Sequence, residues 1–339
     1  METWLVTGGL GFIGSHFVRL ALAERPDVRV INLDKITYAG VPENLADVEN
    51  DPRYTFERGD IADAEAVGPL VRKADLIVNF AAETHVDRSI GDAADFLRTD
   101  VMGVYVLLEA MKDAGVRRFI QVSTDEVYGE AAGGDGAEPS AERDALMPKS
   151  PYAAGKAGGD RLAFSYWATH GTPVVITRCS NNYGPNQYPE KMLPLFITNV
   201  LEDEPLPVYG DGLNSRDWIH VEDHVRALFA VIDADGAEGE VFNIGTGEER
   251  NILQMADAVL ECLGKPKDLI RRVRDRPGHV LRHAVCADKL KAATGWSPGR
   301  RLDDGLPATV RWYETHADWW RRIKAGEYRA YYEKMYAGR

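Results

Sequence analysis

The chain of 339 residues predicts an α/β fold: a doubly wound parallel sheet with helices on both faces, plus a smaller C-terminal α/β lobe. Three observations carry that expectation. Short apolar runs alternate with helical patterns through the first half, as a parallel sheet with crossover helices requires. The first run ends in a glycine-rich turn that opens a helix. The second ends in an acid about 20 residues beyond the turn, the spacing of a dinucleotide-binding unit.

Leu5-Val6-Thr7 is the first strand, followed by Gly8-Gly9-Leu10-Gly11-Phe12-Ile13-Gly14-Ser15 and the helical pattern Phe17, Leu20, Ala21. Gly8 permits the tight turn, Gly11 lets the backbone approach a pyrophosphate, and Gly14 lets the helix pack close to the strand. The helix N-terminus then offers oriented N–H groups to the phosphates. Val28 to Asp34 is a second strand, and its terminal Asp34 suits the adenosine ribose hydroxyls and repels a 2′-phosphate. NAD is therefore expected over NADP, with Lys35 beside Asp34 weakening the preference slightly. The chain is thus expected to contain a Rossmann-type sheet.

Tyr54 to Ile61 is a further strand, with Asp60 placed to meet the adenine. Leu76 to Ala82 ends in Phe80-Ala81-Ala82, where small residues allow a close cofactor approach. Glu83 to Ser89 is a polar loop at the same edge, in which His85 orders the loop or serves as a base. A helical stretch from about Ala93 to Ala114 returns to the strand Arg118 to Val122. That strand runs into Ser123-Thr124-Asp125-Glu126, at the carboxyl edge where ligands of open sheets gather. By themselves the two acids read equally as a solvated turn. If the chain bends sharply after Thr124, both face inward, and two carboxyls in different surroundings can serve as acid and base.

Residues 131–147 are rich in Gly, Ala, Pro and acids and are expected to form a variable surface loop. Order resumes at Ser150-Pro151-Tyr152, with Pro151 suited to a first helical turn. Tyr152 and Lys156 are i and i+4 on that helix, so they share a face. An ammonium near a phenol lowers the phenol's pKa, which makes Tyr152 a base.

Composition narrows the function classes. Apolar residues make up 45% of the chain, ample for a core. No apolar run is long enough to span a bilayer, and no basic leader precedes the first strand, so a cytoplasmic protein is expected. Cys179, Cys262 and Cys286 lie far apart without metal-ligand spacing, and are expected as reduced thiols with no metal site. A net charge of −13 opposes nonspecific nucleic-acid binding. An acidic chain that binds an anionic metabolite must gather its arginines locally.

With these motifs in order, the chain resembles the extended short-chain dehydrogenase/reductase superfamily and, within it, the dTDP-glucose 4,6-dehydratase family. The narrower resemblance rests on Ser123 to Gly129, Ser180-Asn181-Asn182-Tyr183-Gly184-Pro185, Pro189-Glu190-Lys191, Pro207 to Gly212, Arg216-Asp217-Trp218 and Asp275-Arg276-Pro277-Gly278-His279. It implies a hydro-lyase that uses and restores bound NAD while converting dTDP-glucose to a 4-keto-6-deoxy sugar and water. Tyr152, helped by Thr124 and Lys156, would take the 4-hydroxyl proton, Glu126 would remove the C5 proton, and Asp125 would protonate the departing C6 hydroxyl. Mutual repulsion raises the pKa of one carboxyl of such a pair and keeps it protonated. The alternative within enzymes is a nucleotide-sugar epimerase or decarboxylase of the same superfamily, and outside them a noncatalytic dinucleotide sensor.

The resemblance also implies cofactor contacts from Gly8, Gly11, Phe12, Ile13, Gly14, Asp34, Lys35, Thr37, Asp60, Ile61, Phe80, Ala81, Ala82, Thr84, Thr99, Tyr152, Lys156 and Asn182. Substrate contacts would come from Thr84, Thr124, Asn181, Lys191, Met192, Leu193, Pro207, Tyr209, Arg216, Asn251, Arg276 and His279, with the two arginines on the diphosphate. Three positions depart from the family pattern: Val280 and His283 stand where Asp and Tyr are usual, and Gly155 where Ser is usual. Residues 1–178 are expected to form the NAD-binding domain with a returning segment at about 213–248; 179–212 and 249–339 form the nucleotide-sugar lobe. The closing aromatics (Trp312, Tyr313, Trp319, Trp320, Tyr328, Tyr331, Tyr332) read as helix packing. A homodimer is expected through the helices near Ala93–Ala114 and Tyr152–His170, and the product is expected to feed deoxysugar biosynthesis.

Overall fold

The inner strands of the first domain carry consecutive apolar residues, because successive side chains point to opposite faces and both faces of the sheet are covered. In the computed structural model, which describes residues 1–131 and 137–326, β1 (Glu2–Thr7) sends Trp4 and Val6 into one core and Leu5 into another. It enters α1 (Phe12–Glu24) and returns as β2 (Val28–Asp34), followed by β3 (Tyr54–Arg58), α2 (Ala64–Val71) and β4 (Leu76–Asn79). The short helices α3 (Val86–Gly91) and α4 (Ala94–Leu97) lead through a π-helical turn, Arg98–Gly103, into α5 (Val104–Met111) and β5 (Arg118–Thr124). Next come α6 (Pro151–His170), β6 (Val174–Cys179) and β7 (Asn181–Tyr183).

The second half runs α7 (Met192–Leu201), β8 (Leu206–Tyr209), β9 (Ser215–His220), α8 (Val221–Asp233) and β10 (Val241–Ile244). It closes with β11 (Glu249–Asn251), α9 (Ile252–Leu263), β12 (Ile270–Val273), β13 (Arg282–His283), α10 (Asp288–Thr294), α11 (Leu302–Thr315) and α12 (Ala317–Ala325).

Seven strands form one sheet in the order β3-β2-β1-β4-β5-β6-β10, every neighbour parallel. The order reverses between β1 and β4, and a crevice outside the carboxyl ends at that reversal is where open sheets bind ligands. One face packs on α1 and α8 through Phe17, Leu22 and Phe229; the other packs on α2, α5 and α6 through Val67, Leu107 and Ala163. The lobe has its own core, with Tyr183, Phe196, Trp218, Val259, Tyr313 and Trp320. Its strands are β9 flanked by β7, β11 and β13, and the pair β8–β12. Among the described residues, no helix is long and apolar enough to cross a membrane.

The glycine turn is built on close approach. Gly8 has φ +70, and a Cβ on Gly14 would lie 2.4 Å from the Gly8 carbonyl oxygen. Backbone cannot yield as a side-chain end can, so Gly14→Ala is expected to cost about 1–3 kcal/mol. A thermal melt reads this directly; an unchanged midpoint contradicts the packing described.

Two features differ from the sequence reading. Leu290 of α10 packs in the first core and Trp296 packs against it, although 249–339 was expected to belong to the lobe. The chain therefore returns to the first domain a second time. The described part of 131–147 is tethered rather than variable: the Ser140 N–H donates to Ala284, its carbonyl accepts from Cys286, and Asn243 N–H donates to Glu142. Residues 132–136 and the tyrosines 328, 331 and 332 lie outside the described residues. Trp312, Tyr313, Trp319 and Trp320 are in helix contacts, with Trp320 Nε1 donating to the Tyr313 carbonyl at 2.8 Å.

Candidate active site

β5 ends in the bend that the two acids need. Thr124 caps a short 3-10 turn, Asp125–Tyr128: its hydroxyl accepts from Glu126 N–H at 3.3 Å and donates to Asp125 Oδ1 at 3.2 Å. Asp125 is buried and Glu126 half-buried, and both line the same crevice. Burial, then the adjacent Glu126 charge, pushes the Asp125 carboxyl up to about 8, with Arg216 pulling the other way. These surroundings favour the protonated form of Asp125, whose Oδ2 has no hydrogen-bond partner.

A buried network holds that turn. Arg178 on β6 donates to both oxygens of Asp160 on α6, at 2.8 and 3.1 Å, and to the Tyr128 hydroxyl at 2.8 Å. Tyr128 in turn donates to Asn243 Oδ1 on β10 at 2.7 Å. The strand, the helix and the 3-10 turn thus share one set of polar contacts.

Ser150 caps α6, accepting from Ala153 N–H at 3.1 Å with Pro151 in the first turn, and this places Tyr152 and Lys156 over the same crevice. Lys156 Nζ donates to the Val122 carbonyl at 2.8 Å. The expected lowering of the Tyr152 pKa is not what the surroundings give. Burial raises it well above the usual value, and Glu126, Asp100 and Asp125 add to the rise. A spacing argument counts the lysine one turn away but not the carboxyls brought in by other segments.

The crevice has a volume of about 300 Å³, and every residue expected to contact the cofactor lines it. Asp34 at the end of β2 accepts from Leu10 N–H at 3.0 Å and Ile36 N–H at 2.8 Å, which fixes its carboxylate at the crevice rim. Lys35 is spent on Asp60 and Glu83, at 3.5 and 3.8 Å. Thr99 Oγ1, Ser123 Oγ and Ser180 Oγ are buried in this lining without partners, the condition of groups that await a polar ligand. A dinucleotide fits this donor set.

A second cavity of about 130 Å³ adjoins it, with Asn181 lining both. Met192, Pro207, Tyr209, Arg216, Arg276 and His279 line the second cavity; Thr84, Thr124 and Lys191 line the first. Lys191 Nζ donates to Thr84 Oγ1 at 2.8 Å across the junction. Arg216 donates to the backbone carbonyls of Ser215 and Val280, at 2.6 and 3.0 Å. Arg276 meets Asp87 at 3.4 Å and keeps a buried Nε without a partner. His279 donates to Asp275 at 2.7 Å, and burial with Arg276 holds its pKa down to about 4. The two arginines supply the local positive charge that the acidic chain needs.

The model of the GDP-mannose 4,6 dehydratase family matches residues 5–309. The chain belongs to that family. The chain is 48% identical over 325 residues to a dTDP-glucose 4,6-dehydratase of Streptomyces niveus, covering 95% of each. It is 51% identical over 309 residues to the low-salt glycan biosynthesis protein Agl12 of Haloferax volcanii, covering 91% of this chain and 97% of that one. Among solved structures, the dTDP-glucose 4,6-dehydratase DesIV of Streptomyces venezuelae, with NAD bound, superposes with a TM-score of 0.91. That pair is 48% identical and covers 95% of this chain and 100% of the other.

Two residues expected at the substrate lie elsewhere. Leu193 is 2% exposed in the lobe core, because it faces inward on α7 while Met192 faces the cavity. Asn251 caps α9, its side chain accepting from Gln254 N–H at 2.8 Å in a reciprocal capping box. His85 is positioned as a loop-ordering residue: its Nε2 is 3.3 Å from the Glu190 carbonyl, and burial with Lys191 and Arg276 keeps it neutral. The sequence reading missed Asp87, Glu190, Trp218 and Ile252 in the second cavity and Gln187 and Tyr188 in the first. Trp218 and Glu190 sit inside the quoted motifs, so their signal was present; Ile252 had none.

Proposed function

We propose that this chain is a dTDP-glucose 4,6-dehydratase, a hydro-lyase that converts dTDP-glucose to dTDP-4-keto-6-deoxyglucose and water with tightly bound NAD. The observation that carries the reading is the buried Asp125 next to Glu126, on the wall that also holds Tyr152, in surroundings that favour the protonated carboxyl. An epimerase needs no such pair. Bound NAD supplies reversible hydride storage and, when oxidised, one positive charge in the crevice. Tyr152 takes the proton of the sugar 4-hydroxyl, with Thr124 orienting that hydroxyl and Lys156 offsetting charge from one helical turn away. The 4-ketone acidifies C5–H, and Glu126 removes that proton. Asp125 protonates the departing 6-hydroxyl, and water leaves. Arg216 and Arg276 hold the diphosphate, and Pro207 and Tyr209 form the wall for the base.

Two copies pair through α4–α5 and α6. Leu97, Met102 and Tyr105 are 52%, 51% and 41% exposed along the first of these, and Trp167 on α6 is 37% exposed, so an apolar face stands ready for a partner. The product supplies deoxysugar formation in the cytoplasm. To test the reaction, the protein as purified is given dTDP-glucose without added cofactor. A product lighter by one water is expected; turnover of another nucleotide sugar without loss of water contradicts the assignment.

A further inference from the structure

Three loops that line the cofactor crevice are tied together by side chains that the reaction as derived does not use. They follow β2 (residues 35–41), β4 (80–85, leading into α3) and β7 (184–191). The ties form a closed ring. Tyr38 donates its hydroxyl to the Thr84 carbonyl at 2.7 Å, and Lys191 Nζ donates to Thr84 Oγ1 at 2.8 Å. Glu190, next to Lys191, accepts from Nε and Nη2 of Arg88 on α3, at 3.0 and 2.7 Å. The Arg88 guanidinium lies over the Tyr38 ring, 3.8 Å from its centre, which returns the ring to the first loop.

Two of these loops also separate the two cavities. Thr84, Tyr188 and Lys191 line the crevice, whereas His85, Asp87 and Glu190 line the second cavity. The loops after β4 and β7 thus show different residues to the two spaces, and the Arg88–Glu190 pair belongs to the partition between them. The Glu190 side chain is 2% exposed, so its carboxylate depends on the guanidinium fork.

The backbone of the three loops is held against its preference. Of the four described non-glycine residues with positive φ, three fall one in each loop: Ile36 at 59°, His85 at 92° and Asn186 at 62°. Such a φ is a genuine outlier for a β-branched residue like Ile36. Conformations of this kind persist only where surrounding contacts enforce them. The ring supplies contacts that do so.

We propose that Arg88 is a positioning residue that clasps the three loops and so keeps NAD in the crevice through a turnover. Its guanidinium ties α3 to Glu190 in the loop after β7 and, by stacking, to Tyr38 in the loop after β2. The role rests on the dehydratase reading, in which the hydride taken from C4 must come back from the same nicotinamide. A cofactor that left in its reduced form would strand the keto sugar.

The test is the rate at which bound NAD exchanges with excess isotopically labelled NAD, read by mass spectrometry of the retained nucleotide. It is measured for the intact protein, Arg88→Met, Arg88→Lys and Tyr38→Phe. Arg88→Met leaves Glu190 without its partner and is expected to speed exchange by about 10²-fold. Arg88→Lys keeps the charge but loses the fork and the stacking, so its rate lies between. Tyr38→Phe removes one oxygen, keeps the ring under Arg88, and speeds exchange by about two- to tenfold, the effect of one neutral hydrogen bond. Should Arg88→Met fail to fold, the other two variants carry the test. The clasp also predicts that dehydration by Arg88→Lys falls on dilution and is restored by added NAD. A lower melting temperature with NAD exchange at the intact rate is the mark of a merely structural role and overturns the proposal. Faster exchange in protein that does not turn over dTDP-glucose supports the clasp while the dehydratase assignment falls.

Discussion

Glu126→Gln is expected to oxidise C4 and then stop, leaving reduced nicotinamide at close to the enzyme concentration. The amide keeps the shape of the side chain but cannot accept the C5 proton, so dehydration falls by about 10²–10⁴-fold, the usual contribution of a positioned base. Oxidation at C4 depends on Tyr152, which the change leaves in place. Rapid mixing with dTDP-glucose, followed at the absorbance of reduced nicotinamide, separates the two steps. A variant that dehydrates at the normal rate places the base elsewhere. The same pair sets a pH limit. Asp125 is active in its protonated form and is held up to about 8 by burial and by Glu126. Elimination in the intact enzyme therefore declines as pH rises through that value.

The largest effect on stability is expected from Asp160→Ala. Arg178 is 1% exposed and Asp160 is fully buried, so the substitution strands a guanidinium in the interior. Removing one partner of a buried ion pair costs about 3–5 kcal/mol. The Tyr128 contact would suffer with it, since Arg178 Nη1 donates to that hydroxyl, and the 3-10 turn bearing Asp125 and Glu126 would lose its support. Urea unfolding should show the midpoint fall steeply for Asp160→Ala and less for Asp160→Asn, which retains an acceptor. A loss below about 1 kcal/mol, the value of an exposed pair, contradicts the description of the network.

Much of this was legible in the residues because the relevant signals are local. The glycine turn, Asp34 and the strand that runs into Thr124 each declare themselves within a few positions, and the crevice at the sheet reversal gathers them. What was not legible depends on phase or on distance in the chain. Met192 and Leu193 are neighbours, and only the packing of α7 decides which one faces the cavity. Asn251 carried a readable alternative, a glutamine three residues on that completes a capping box. Arg178, Asp160, Tyr128 and Asn243 come from four segments, so no window of sequence contains their network. The same holds for Tyr152, whose high pKa arises from burial and from Glu126, Asp100 and Asp125 converging on it.

The central claim is that hydride leaves C4 and returns to C6 of the same sugar, with loss of water between. Substrate deuterated at C4 tests it in a single measurement, using the enzyme as purified in ordinary water. The label is expected at C6 of a product lighter by one water, with a solvent proton at C5. Product that retains deuterium at C4, or that loses it to solvent, would contradict the account.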